Sequence, residues 1–368
     1  MMSGNELPGE AKEQERSHRA CAGQEEFQNH EPQSHFNAWP DSQAGSLFNS
    51  KNGTKLNKEL IIKAQERIKG GTHITPILSS QSLNTISTSN LYFKCENFQK
   101  IGAFKMRGAL NAVRTYSEKK IKRGFVTHSS GNHAQAVALS SKMMNTKAYI
   151  VMPKGAPKIK IDAVRGYGAE VTLCENNERS RHDTCEKIIN KTGANFVHPF
   201  DNYDVIAGQA TCSKEIYDYS PKLNLDYIIC PVGGGGLASG TILSTQYFSP
   251  KTKVILVEPL NASDAHQSFK EKKLIKVHNP NTIADGLKTS LSEKTFDIIL
   301  NGAEDIITVS EKEIVSSMKL IWERLKIVCE PSCSLPLAAV LKNKNKFKGK
   351  AVGLILTGGN VNVKKLPF

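Results

Sequence analysis

The chain has 368 residues, 39% of them hydrophobic and 23% charged, with a formal net charge of +14. That length fits one large domain or two of ordinary size, and no apolar run approaches the about 18 residues that would span a bilayer. The basic excess does not point to nucleic acid, because Lys and Arg are dispersed and no basic stripe is interleaved with aromatics.

Residues 1–50 hold three basic and eight acidic side chains. Segment 1–54 is rich in Gln, Glu, Asn, Ser and Gly. It is too poor in apolar residues to offset its own ordering entropy, so a disordered N-terminal tail is expected. The segment has neither the apolar core of a secretory signal nor the acid-poor makeup of a transit peptide. The eight cysteines contain no C-x-x-C pair. Reduced, packing cysteines and a cytoplasmic location are the expectation.

From residue 56 the pattern changes. The segment 57–69 (NKELIIKAQERIK) has helical spacing and stops at Gly70-Gly71. Short apolar runs follow at 91–93, 125–127, 148–152, 171–174, 227–232, 254–257 and 352–356. Helical patterns lie between them, among them 105–120 and 311–325. Strands buried on both faces and separated by helices imply an α/β fold with a parallel sheet. Such sheets bind ligands at the carboxyl ends of their strands. The Lys-rich run 342–350 alternates with Asn, Phe and Gly and reads as a solvated loop.

Several strand ends carry chemistry. Gly233 to Gly236 follow the run 227–232. Four residues without a Cβ leave their amides bare and free to take φ > 0, which makes a nest for a phosphate at a helix start. The spacing matches neither a dinucleotide fingerprint nor a nucleotide P-loop, and taken alone the run also fits a flexible turn. Ser129-Ser130-Gly131-Asn132-His133 offers hydroxyls, an amide and backbone donors that suit a carboxylate. It also fits an N-cap followed by a core histidine. Thr357 places a hydroxyl at the last strand end, before Gly358-Gly359, where a turn residue is the alternative. Lys105 opens a helix after a glycine turn. The positive end of the helix dipole favours its neutral amine there, as Schiff-base chemistry requires. Taken alone it also fits a surface lysine.

Together these motifs resemble the fold type II, tryptophan-synthase-β-like pyridoxal-phosphate (PLP) enzymes, and among them the serine racemase and serine/threonine dehydratase family. The resemblance runs from about Leu60 to the C-terminus. It is carried by FKMRGA (104–109), SSGNHAQA (129–136), VIAGQ (205–209), GGGGL (233–237), TIADG (282–286) and GGNV (358–361). It implies two domains, each a mainly parallel sheet flanked by helices, with PLP in the cleft between them. Residues 55–123 and 202–368 form the large domain, and 124–201 a small mobile one.

The resemblance also implies roles. Lys105 is similar to the Schiff-base lysine, Gly233, Gly234, Gly235 and Gly236 to the phosphate cradle, Asn132 to the partner of the phenolic oxygen, and Thr357 to the pyridine-nitrogen contact. Ser129, Ser130, Asn132 and His133 line the place of the amino-acid substrate, with Arg181 reaching in on closure. For racemisation Lys105 serves one face of the α-carbon and Ser130 the other. Glu258, the Ala262 carbonyl and Asp264 match a divalent-cation loop suited to magnesium, calcium or manganese. Lys100, Gln135 and Lys160 match positions used for ATP, although Ile101 stands where a contacting threonine is found. A homodimer is implied as well, and no nucleic-acid or membrane partner.

The activity implied is interconversion of L- and D-serine, with side elimination of serine to pyruvate and ammonia. A dedicated L-serine/L-threonine or 3-hydroxyaspartate dehydratase is the alternative. An aspartate racemase fits less well, because 200–204 lacks the serine run associated with that activity.

Overall fold

The computed structural model describes residues 56–156, 158–219, 223–276 and 280–368. The tail expected at 1–54 lies outside them. Among the described residues ten strands form two sheets. The larger holds β1 (Ile77–Leu78), β2 (Asn90–Cys95), β7 (Tyr227–Pro231), β8 (Lys253–Pro259), β9 (Asp305–Val309) and β10 (Ala351–Leu356). Its order is β1-β2-β10-β7-β8-β9. The smaller holds β3 (Phe125–His128), β4 (Ala148–Pro153), β5 (Glu170–Cys174) and β6 (Asn195–Phe196) in the order β5-β4-β3-β6. Every pairing is parallel except β1 with β2. The α/β, mainly parallel expectation therefore holds.

The apolar runs became strands because both faces are covered. In β7 Ile229 points into one core, with Phe93 and Leu337. Its neighbours Ile228 and Cys230 point into another, with Ile206 and Leu243. A two-residue side-chain period with both faces buried has to read as a continuous apolar run. A third core surrounds the smaller sheet, where Phe125 and Ile150 meet Met106, Leu110 and Val113 of helix Lys105–Thr115. That helix shares a core with the smaller sheet and lies against helices Asn132–Met143 and Tyr203–Tyr219, while its first residues are stitched to the larger sheet. Phe104 N–H donates to the Thr357 carbonyl at 3.0 Å, and Ala103 bridges Gly358.

Three local readings differ from expectation. The helical pattern 105–120 divides at the extended Tyr116, and a second short helix runs Glu118–Ile121. The run 342–350 is not a free loop, because Phe347 is fully buried and Lys346 pairs with Asp305 at 2.8 Å. Strand β9 was not foreseen; it is a five-residue edge whose pairing with β8 decides its conformation. The described cysteines are all buried and free. Among the described residues no helix is long and apolar enough to cross a membrane.

Leu354 sits fully buried at the centre of β10. Leu354→Ala should lower the unfolding free energy by about 2–5 kcal/mol, as read from urea denaturation followed by far-UV circular dichroism.

Candidate active site

The carboxyl ends of β3, β7 and β10 face one region, and Lys105 opens a helix beside them. The Lys105 amine donates to the Pro199 carbonyl at 2.8 Å. Burial depresses its pKa from 10.5 to about 8. Loss of water therefore does what the sequence reading assigned to the helix dipole.

Next to it, the Thr357 hydroxyl oxygen is buried with no hydrogen-bond partner among the described residues. A buried hydroxyl left unsatisfied at a strand end is free to bond a ligand atom.

The glycine run follows β7 and leads into helix Gly236–Phe248. Gly235 has φ +88°, and a Cβ on Gly234 would stand 2.3 Å from the Phe200 ring. Glycine is thus required at both positions, once by backbone conformation and once by close approach. The Gly234 N–H donates to Thr289 Oγ1 at 3.1 Å, and its carbonyl accepts from Thr295 Oγ1 at 3.0 Å. Phe200 follows Pro199, so a single loop touches both the lysine and the glycine run.

The loop after β3 leads into helix Asn132–Met143. Ser129 Oγ accepts from the Gly131 N–H at 3.2 Å, and Ser130 lies between them. Asn132 Nδ2 donates to Glu330 Oε1 at 3.0 Å, and its Oδ1 accepts from Asn360 Nδ2 at 2.8 Å. Asn360 also donates to the Ile101 carbonyl at 2.7 Å. Burial, then the charge of Asp285, pushes the Glu330 carboxyl up to about 7. Glu330, Asn360, Thr289 and the Pro199 carbonyl were absent from the sequence-derived set. Asn360 lies within the GGNV motif and Glu330 ends an apolar run, so both carried a signal. The other two become visible only in space.

Three imidazoles near the lysine are neutral. Burial takes His128 down to about 4 and His198 to about 3. His133 is also depressed by burial and then by Lys105, and its Nε2 faces the Val197 carbonyl at 3.0 Å. Its other ring nitrogen is buried without a partner. Arg181 stands close enough to His128 for its charge to matter. Its Nη2 holds Asn176 at 2.8 Å and its Nε is unpaired.

The cation candidates lie at the end of β8. Glu258 accepts the Ala265 and His266 N–H groups at 3.1 and 2.9 Å. Burial and then Asp264 hold its carboxyl well above the ordinary 4.5. Asp264 is raised too, by burial first, and its Oδ2 has no partner. Among the described residues no three His, Cys, Asp or Glu side chains group as a metal site. A cation here would need backbone oxygen such as the Ala262 carbonyl. Of the nucleotide candidates, Lys160 reaches Asp285 at 2.5 Å, Gln135 is buried, and Lys100 opens a short turn.

The chain matches a family model described as pyridoxal-phosphate dependent enzyme over residues 68–358. It is 46% identical over 310 residues to a β-hydroxyaspartate dehydratase of Paracoccus denitrificans, covering 84% of this chain and 98% of that protein. It is 45% identical to a serine racemase of Dictyostelium discoideum, covering 83% and 95%. The crystal structure of that organism's serine racemase superposes with a TM-score of 0.80 over 84% of this chain and 99% of the other. Maize serine racemase gives 0.81 at 38% identity, covering 84% and 94%. By this match and these identities the chain belongs to the pyridoxal-phosphate-dependent enzymes, in the group of amino-acid racemases and ammonia-lyases.

Proposed function

We propose that this chain is a PLP-dependent serine racemase that also converts L-serine to pyruvate and ammonia. One observation carries the reading: a buried lysine amine with a lowered pKa is held by the loop whose next residue, Phe200, packs on the glycine run, and an unpaired hydroxyl sits at the end of β10. These groups suit PLP. Lys105 would hold its aldehyde carbon, Gly233 to Gly236 its phosphate, Asn132 its phenolic oxygen and Thr357 its ring nitrogen. When bound, PLP supplies the electron sink that acidifies the substrate's α-hydrogen.

The chain's own groups do the rest. Ser129, Asn132 and the amides at the start of helix Asn132–Met143 hold the substrate carboxylate, and Arg181 completes the pocket as segment 124–201 closes on the remainder. Lys105 Nζ takes the α-proton on one face, and Ser130 Oγ delivers one on the other. Two donors are needed because one amine does not reach both faces of a planar carbon. A threonine hydroxyl cannot keep the ring nitrogen protonated as a carboxylate would. The sink stays weak, which suits loss of the β-hydroxyl along with its charge.

Glu258, Asp264 and the Ala262 carbonyl fit a hard divalent cation, magnesium foremost. Two buried carboxylates forced together, one with an orphan oxygen, are costly without a counter-charge. Lys100, Gln135 and Lys160 are the proposed ATP contacts, and the assembly a homodimer.

A second reading has its own support: several of the relatives are named as 3-hydroxyaspartate lyases, and Arg181 has a free Nε that could take a second carboxylate.

Incubation with L-serine, with D-serine and pyruvate quantified separately, decides between the two. Both should appear, and Mg·ATP should raise both rates. Pyruvate without D-serine, alongside faster turnover of L-threo-3-hydroxyaspartate, would make the chain a dehydratase instead. Ser130→Ala should cut racemisation by about 10²–10⁴-fold while sparing L-serine elimination, which chiral chromatography beside a pyruvate assay will show. Chelation should expose the carboxylate pair. Both folded pKa values lie above their unfolded ones, so the metal-free protein should lose stability as pH rises from about 4.5 towards neutrality. Thermal melts in EDTA should show that loss, and magnesium should reverse it.

A further inference from the structure

Two residues beyond Lys105, on the same helix, Arg107 is fully buried. Its guanidinium grips two carboxylates at once. Nε and Nη2 donate to Glu96 at 2.7 and 2.8 Å. Nη1 and Nη2 donate to Glu215 at 2.6 and 2.8 Å. Thr211 Oγ1 and the His73 carbonyl accept further contacts at 3.3 and 3.4 Å. Lys94 completes the set, donating to Glu215 at 2.6 Å and to the Thr75 carbonyl at 2.8 Å. Two cations and two anions are thus enclosed with no net charge, and every guanidinium nitrogen has a partner.

The origins of these partners matter more than their number. Glu96 directly follows β2, which pairs along its whole length with β10, the strand leading to Thr357. Glu215 and Thr211 lie on helix Tyr203–Tyr219, which follows the loop whose Pro199 carbonyl holds the Lys105 amine. One planar fork therefore joins the lysine's helix to both flanks of the cofactor seat. Replacing such a cluster by apolar residues is often neutral or stabilising, so stability alone does not explain it. A guanidinium fixes distance and rotation together, which an ammonium cannot do.

We propose that Arg107, through Glu96 and Glu215, is a positioning residue that sets the depth and rotation of Lys105 against its acceptor and the cofactor seat. This rests on reading Lys105 as the PLP lysine. The Arg107 side chain itself touches neither the lysine amine nor the glycine run. Its contribution is a helix start that neither slides nor rolls outward, keeping water from the amine.

The test is the titration of the amine itself. Full-length protein, stripped of cofactor, is reductively methylated across a pH series, and Lys105 is followed by peptide mass spectrometry. A parallel, unmethylated sample is reloaded with PLP and trapped with borohydride. The wild type should show a labelling midpoint near pH 8. Arg107→Lys keeps the charge and loses the second carboxylate, and the midpoint should rise by about one pH unit as water reaches the amine. Glu215→Gln removes a negative charge. Electrostatics alone would then lower the midpoint, whereas a loosened helix raises it. An upward shift in both variants supports positioning. An unmoved midpoint in Arg107→Lys, a downward shift in Glu215→Gln, or failure of both variants to fold would overturn it and leave the cluster as core. If PLP labels no lysine in the wild type, the cofactor reading fails instead.

Discussion

A lysine amine in water is almost wholly charged at neutral pH, and a charged amine neither attacks an aldehyde nor accepts a proton. The site depends on removing water from Lys105 while leaving it one weak neutral acceptor. Burial supplies the first condition, and the Pro199 carbonyl, 2.8 Å from the amine, supplies the second. A carboxylate in that place would have raised the pKa and kept the amine protonated. The three imidazoles nearby follow the same rule. Each is neutral because it is buried, and none adds a cation beside the amine or a competing acid at neutral pH.

Charge is permitted close by only where it is paired or shared. The Arg107 cluster is closed and neutral, and lies behind the lysine helix. Glu330 is different. It is buried against Asn132 with its carboxyl pushed to about 7, and it stands where the loop after β3 meets the end of β10. Asn132 is thereby held on both of its amide atoms, by Glu330 and by Asn360, so its orientation is set by partners from the far end of the chain. The carboxylate pair Glu258 and Asp264 is the one concentration of like charge in the buried interior described above. Burial raises both pKa values first, and for Glu258 the neighbouring Asp264 adds to it.

The strands and the glycine turn could be read from the sequence because their causes are local. A strand covered on both faces has to be apolar, and β7, β10 and the stretch Val254–Val257 of β8 are. A turn that must take φ +88° or lie against an aromatic ring has to be glycine, as Gly235 and Gly234 are. Elements decided by partners were harder to see. Strand β9 is short and lies at an edge, and its pairing with β8 is what extends it. The helix expected over 105–120 ends at Tyr116 for a reason the 3.6-residue period does not contain. The Lys-rich run near the C-terminus looked solvated because its single aromatic, Phe347, weighs little in composition and much in packing.

From sequence alone came the fold class, the lysine, the glycine nest and the hydroxyl at the last strand end. Each of these is a property of a few neighbouring residues and of the backbone they can adopt. Only the tertiary structure could decide why the amine's pKa is lowered, which carbonyl holds it, and that Glu330 and Asn360 clamp Asn132 from about 200 residues away. It alone could also show that Arg107 ties the lysine's helix to both flanks of the site. Desolvation and long-range hydrogen bonding are properties of surroundings, and surroundings exist only once the chain has folded.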